Sequence, residues 1–287
     1  MSPHNEAWAE RAARRVAARV GPRQPWWALH RRGLALTART DYRERALASP
    51  FSIEVMLALG TPRRVALARG QGRPLMILPG LYASLHEALF LGLAELAARR
   101  GRTVVLVEDR LAAQTLQLNG PAIPSFARVG AEIAALAREI GGPPDALALS
   151  AGAQAALSAP PGTFERIAVW SGAVDLWEVA EHLARHPLPR GHYARVHRRA
   201  FERAALAPPS IATVPARLAA GAPCGVPPGP LLLIHAEDDP VVPASSVRAF
   251  PVEDEQCAAI LPAGAHLGFG TLAGLDVYLE PFESEEG

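Results

Sequence analysis

Apolar positions along the chain change their spacing near residue 64. Ahead of it, alanines with Val16 and Val20 recur at helical spacing over about 5–20, and Gly21, Pro22 and Pro25 end that run. Beyond it, short runs rich in Val, Ile and Leu alternate with longer amphipathic stretches. Strands are expected at 64–68, 74–78, 103–107, 146–149, 167–170, 231–235 and 258–261. Helices are expected over about 84–99, 125–140 and 151–158. The turn signal Gly70-Gln71-Gly72 is not a phosphate loop, because no G-x-G-x-x-G opens a helix. Strands that alternate with helices need crossover connections, which predicts an α/β fold with a mostly parallel sheet flanked by helices.

One stretch breaks the alternation. Residues 173–229 offer no convincing strand, but they have helical character at 176–185 and 193–206 and many prolines. An insertion between two parallel strands is expected to lie over their carboxyl ends, where open α/β sheets bind ligands. The expected organisation is therefore an N-terminal helical extension (1–63) packed on the core, then an α/β domain (64–287) with a helical cap at about 173–229. Within the extension, Trp26 and Trp27 stand among Arg23, Arg31 and Arg32. Such a pair either docks on a membrane surface or, more often, packs against its own domain.

Composition narrows the function classes. A chain of 287 residues with 49% hydrophobic and 20% charged residues can bury a full core and is far from disorder. A net charge of +1 offers no field that would favour nucleic acid. All the basic residues are arginine, so a lysine Schiff base or a Ser–Lys dyad is excluded. Cys224 and Cys257 make neither a disulfide framework nor a zinc pattern and are expected to be free thiols. His182, His186, His192 and His197 fall among arginines in the cap and lack the rest of a metal-binding pattern. No apolar run reaches the ~18–20 residues that span a bilayer, so no stable membrane insertion is expected. Glu6, Glu10, Arg11, Arg14 and Arg15 leave no signal-peptide core at the N-terminus, and a cytoplasmic protein is the expectation.

Candidate chemistry begins at Ser150, in Ala148-Leu149-Ser150-Ala151-Gly152-Ala153. A serine directly after a buried strand and ahead of a helix matches the G-x-S-x-G elbow, which lifts the hydroxyl clear of the sheet. Ala148 replaces the first glycine of that pattern. A buried serine that merely caps the helix is the structural alternative. Asp239 follows the strand at 231–235, and His266 follows the strand at 258–261. Each lies just past a strand's carboxyl end, so the three can meet at one sheet edge. His266 would take the serine proton, and ionised Asp239 would hold the imidazole in its working tautomer. Asp238 is the nearest rival as the acid; Asp175 reads better as a helix cap, and His235 as a core histidine. The loop Pro79-Gly80-Leu81-Tyr82 follows the strand at 74–78, so the Leu81 and Ala151 N–H groups are the candidate oxyanion donors. Tyr82 and His86 are candidates to line the substrate site, with plain loop packing as the other reading.

Taken as an ordered set over about 64–280, these segments resemble the α/β-hydrolase family. Asp238-Asp239-Pro240-Val241-Val242-Pro243 and Gly264-Ala265-His266-Leu267-Gly268-Phe269 are similar to the YheT-like esterase branch, where D-D-P-x-x-P and G-G-H-x-G-F occur. Departures are the missing His before Gly80, Ala148 and Ala265 in place of glycine, and Glu108-Asp109-Arg110-Leu111 where that branch has R-G-x-G-x-S. The resemblance implies hydrolysis of a small-molecule carboxylic ester through an acyl-enzyme, with no metal or organic cofactor. Acyl transfer, thioester cleavage, or a non-catalytic binding role on the same scaffold are the alternatives.

Overall fold

Strands β1 (Ser52–Ala58), β2 (Thr61–Ala68), β3 (Gly72–Leu78), β4 (Arg102–Val107), β5 (Asp145–Leu149), β6 (Ile167–Trp170), β7 (Leu231–Ala236) and β8 (Gln256–Leu261) form one sheet in the computed structural model. The structure describes residues 3–21, 50–219, 229–253, 255–269 and 273–283, so the tryptophan pair at 26–27 and Cys224 lie outside the described residues. The strand order is β1-β2-β4-β3-β5-β6-β7-β8. β1–β2 and β2–β4 pair antiparallel, and every other neighbouring pair is parallel.

Side chains alternate along the central strands between two layers, as a sheet covered on both faces requires. Leu147 and Leu149 of β5 face one layer with Trp170, Phe269 and Tyr278. Ala146 and Ala148 face the other, with Phe126, Val129 and Ile133. The first layer contains helix α1 (Pro3–Val20), which buries Ala9, Ala12 and Val16, and helix α2 (Ala88–Arg99). Trp8 Nε1–H donates to the Pro281 carbonyl at 2.6 Å, tying α1 to the 3₁₀ segment Leu275–Phe282. Helix α3 (Ala113–Asn119) follows β4, while α4 (Phe126–Glu139) and α5 (Gly152–Leu157) cover the second layer. Ser125 caps α4 by accepting from the Arg128 N–H at 3.3 Å, as its residue type favours.

Between β6 and β7 the chain forms α6 (Leu176–Arg185), α7 (Pro187–Arg203) and α8 (Val214–Ala219). Asp175 caps α6, accepting from the Trp177 and Glu178 N–H groups at 2.9 and 3.0 Å. Helix α9 (Ala244–Arg248) joins β7 to β8.

The sheet begins earlier than the apolar pattern indicated. A boundary at 63/64 would cut β2 and leave β1 outside the sheet, although the two pair along their whole length. The reason lies in β1 itself. Ile53, Val55 and Leu57 alternate as a strand should, but their exposures are 42%, 55% and 70%, so their apolar face points to solvent. The helix expected from 84 starts only at Ala88, because 81–87 form the turns beneath the strand edge. Among the described residues, no helix is long and apolar enough to cross a membrane.

Candidate active site

Ser150 occupies the turn between β5 and α5 with φ of +54°, a left-handed conformation that is costly for a residue with a side chain. The turn is held from several sides. The Ser150 N–H donates to the Trp170 carbonyl at 2.9 Å, and its own carbonyl accepts from Ala153 and Ala173 at 3.1 Å each. A Cβ on Gly152 would sit 2.1 Å from the Leu78 carbonyl oxygen, so only glycine fits there. Ala148, two residues before the serine, is fully buried in register with Leu78 and Val169, and its methyl joins the apolar layer beneath. That packing explains why alanine stands where the elbow pattern has glycine.

His266, Asp239 and Ser150 meet at the carboxyl edge. The His266 Nε2 lies 3.0 Å from Ser150 Oγ, and its Nδ1 lies 3.0 Å from Asp239 Oδ2. The loop carrying the histidine is tightly built: Ala265 and Leu267 have φ of +44° and +59°. A Cβ at Gly264 would run into the Phe269 ring at 2.3 Å. The Leu267 N–H donates to Ser171 Oγ at 3.3 Å, and the Tyr278 hydroxyl donates to the Leu267 carbonyl at 2.8 Å.

The two adjacent acids divide the work. Asp239 turns Oδ2 to the imidazole, and its Oδ1 accepts from the Val241 and Val242 N–H groups at 2.8 and 3.0 Å. Asp238 points elsewhere: its Oδ1 accepts from the Gly264 and Ala265 N–H groups at 3.0 and 2.8 Å, fixing the histidine loop. Burial pulls the Asp239 carboxyl upward, but the charge and hydrogen bond of His266 outweigh it and hold the group below its ordinary value. His235 is a core residue, its Nε2 3.0 Å from the Val242 carbonyl, and burial lowers its pKa so that it stays neutral.

The loop after β3 lies against the serine. A Cβ on Gly80 would approach the Ser150 Cβ to 3.2 Å, so the backbone there comes as close as it does because no side chain intervenes. Leu81 and Ala151 flank Ser150, and among the described residues neither N–H has an acceptor. Asp109 braces the loop by accepting from the Tyr82 N–H at 2.6 Å and the Leu111 N–H at 3.0 Å. Burial pushes the Asp109 carboxyl up to about 6 despite those bonds.

A cavity of about 100 Å³ opens above Ser150. Leu176, Val179, Ala180 and Leu183 of α6 form one wall, and Ile211, Val214 and Leu218 another. Tyr82 also lines it, with its hydroxyl 2.9 Å from His197 Nδ1, while His197 Nε2 lies 2.8 Å from the Pro209 carbonyl. His86, the other candidate for this wall, is not among the lining residues; it sits in the turn before α2, where its N–H donates to Ser84 Oγ at 3.3 Å. Sequence patterns gave no sign of Tyr193. It reaches from α7 and lines the cavity together with Ser150. Nor did they single out Asp109 as the brace of the loop, although an acid just past a strand's carboxyl end is the kind of signal that would have found it.

Solved structures share this arrangement of sheet and helices. An α/β-hydrolase fold protein from Burkholderia ambifaria superposes with a TM-score of 0.52 at 19% identity, covering 79% of this chain and 94% of the other. An epoxide hydrolase from Vigna radiata gives 0.57 at 13% identity, covering 81% and 96%. The chain has the α/β-hydrolase fold. An N-formylmaleamic acid deformylase from Pseudomonas putida S16 shares it too, with a TM-score of 0.56 at 15% identity over 81% of this chain and all of the other. No protein-family model and no curated protein matches the sequence. At these identities the shared α/β-hydrolase fold carries the likeness, and the chemistry has to be argued from the residues.

Proposed function

We propose that the chain is a serine hydrolase that cleaves small carboxylic esters through an acyl-enzyme on Ser150. The observation that carries this reading is the unbroken chain from Ser150 Oγ through His266 to Asp239, with both hydrogen-bond distances at 3.0 Å. His266 accepts the serine proton as Oγ bonds to the carbonyl carbon, then returns it to the alkoxy oxygen as the alcohol departs. Water, activated by the same imidazole, releases the acid. Asp239 stays ionised throughout, stabilises the imidazolium and keeps Nδ1 protonated. The Leu81 and Ala151 N–H groups receive the oxyanion, each contributing roughly 100- to 1000-fold in rate in sites of this kind.

Helices α6 to α8 act as a cap, and the cavity beneath them supports the substrate class. Among the described residues its walls carry no charged side chain, so the acyl group it suits is apolar and uncharged. The neighbouring deformylase and epoxide hydrolase are also hydrolases, in keeping with this reading.

A fluorophosphonate probe and a series of p-nitrophenyl esters test it. Labelling and ester turnover are both expected and are expected to vanish together in Ser150→Ala. Turnover that survives that change, or a label carried by another residue, would overturn the assignment.

A further inference from the structure

We propose that Tyr82 and His197 are positioning residues for the oxyanion donor, a buried link through which the cap holds the Leu81 N–H at Ser150. The inference rests on the reading of Ser150 as the nucleophile. Tyr82 directly follows Leu81, in the loop that lies against the serine. Its hydroxyl lies 2.9 Å from His197 Nδ1 on α7, and His197 Nε2 lies 2.8 Å from the Pro209 carbonyl. A carbonyl only accepts, so Nε2 carries the ring proton and Nδ1 accepts from the phenol. Burial, reinforced by the Asp109 charge, pushes the Tyr82 phenol above its ordinary pKa and keeps it a donor. Both side chains are buried. Tyr82 packs in one cluster with Leu111, Leu116 and Phe201, and the Phe201 ring lies 4.8 Å from that of His197.

Tyr82 needs such a link because its backbone is strained. Its φ is +67°, a left-handed conformation that is costly for a residue with a side chain. Relaxation to an ordinary negative φ is a rotation about the Tyr82 N–Cα bond. That rotation swings the Leu81–Tyr82 peptide against the turn that follows, and the Leu81 N–H moves with it. Asp109 holds the residue at its N–H, which by itself leaves the ring free to change rotamer. His197 supplies a second anchor at the far end of the side chain. Held at both ends, the residue is over-determined and the strained turn persists. His197 is fixed in turn by the Pro209 carbonyl, just ahead of the wall residues Ile211, Val214 and Leu218. The oxyanion loop and that wall are thus joined through a run of hydroxyl, imidazole and carbonyl. The phenol and both ring nitrogens are engaged within this run, so their part is positioning.

Tyr82→Phe deletes the hydroxyl and keeps the ring, and His197→Phe removes both bonds of the imidazole. Turnover of a p-nitrophenyl ester should be taken per site titrated with the fluorophosphonate, which leaves any unfolded fraction out of kcat. A trifluoromethyl ketone with the same acyl group reports on the oxyanion directly. Ser150 Oγ adds to its carbonyl carbon and leaves a tetrahedral alkoxide at the same two N–H groups. The expected result for Tyr82→Phe is a kcat lower by about 10-fold, a KM within about 2-fold, and a ketone inhibition constant weakened by about 10-fold. The double variant should lose no more than Tyr82→Phe, since both changes cut one link. If His197→Phe does not fold, Tyr82→Phe decides alone. An unchanged kcat per titrated site, a loss confined to KM, or additive losses in the double variant would overturn the positioning role while the serine mechanism stands. If the unmodified chain neither takes the label nor turns over the ester, the serine mechanism fails and this role falls with it.

Discussion

The strand-edge loops and the helices above them hold their side chains by different means. At the edge, hydrogen bonds made to backbone groups and sheet register do the holding. Ser150 is pinned through Trp170, and the Gly264–Ala265 N–H groups are pinned through Asp238. Little can shift there without breaking a ladder. Over the cavity, contact is made side chain by side chain. Of the residues in helix α6 only Val179 is buried, and Trp177 on its outer face is 59% exposed. Its polar ties to the edge among the described residues are His182 Nε2, 3.0 Å from the Pro240 carbonyl, and the Glu178 carboxylate, which accepts from the Ser245 hydroxyl. The lesson is a division of labour: loops tied to the sheet carry the candidate triad, while a side-chain-packed wall encloses the cavity beside it.

That contrast can be broken most sharply at the adjacent acids. In Asp239→Asn the imidazole loses its ionic partner and kcat is expected to fall about 10⁴-fold with the fold intact. Asp238→Asn keeps an acceptor for the Gly264 and Ala265 N–H groups and should cost less than about 10-fold. Stopped-flow or steady-state ester turnover of the two variants side by side decides between them; similar losses would merge the roles separated here.

A smaller effect is expected from the wall. Ala180→Trp fills part of the cavity without touching the strand edge. It should lower kcat/KM about 10-fold for an octanoyl ester and change an acetyl ester less than about 2-fold. A uniform loss on both would mean that the wall also positions the reacting atoms.

The smallest effect concerns pH. Burial, reinforced by Asp109 and Glu108, pushes the Glu87 carboxyl up to about 8, and burial pushes Asp109 up to about 6. Both values lie above the ordinary carboxyl range, so the folded state holds these protons more tightly than the unfolded chain. Their contribution to stability is present below pH 4 and is lost as pH rises through about 6 and about 8. In Glu87→Gln the upper part of that decline should flatten in thermal melts taken from pH 6 to 9. An unchanged slope would show that Glu87 ionises normally.

Most of the sheet was legible because its central strands are short apolar runs bounded by turns. β6 begins and ends where the pattern of residues 167–170 places it, and Ser125 and Asp175 mark helix starts by their capping chemistry. β1 was not legible, since its alternating apolar residues face solvent and sit opposite to the usual rule. Helix α3 and the 3₁₀ segment at Leu275–Phe282 escaped notice for another reason: both are short and owe their place to what they pack against.

In the candidate site, Ser150, Asp239 and His266 stood out because each follows a strand, a relation that is local in sequence. The chain alone thus determined the alternation of strands and helices and the order in which chemically capable residues leave the strand ends. Only the tertiary structure decided which acid faces the imidazole, that Asp109 braces the loop beside Ser150, and that Tyr193 lines the cavity above the serine. Those contacts join residues dozens of positions apart, and hydrophobic periodicity carries information about the face a residue presents, not about the distant partner it meets there.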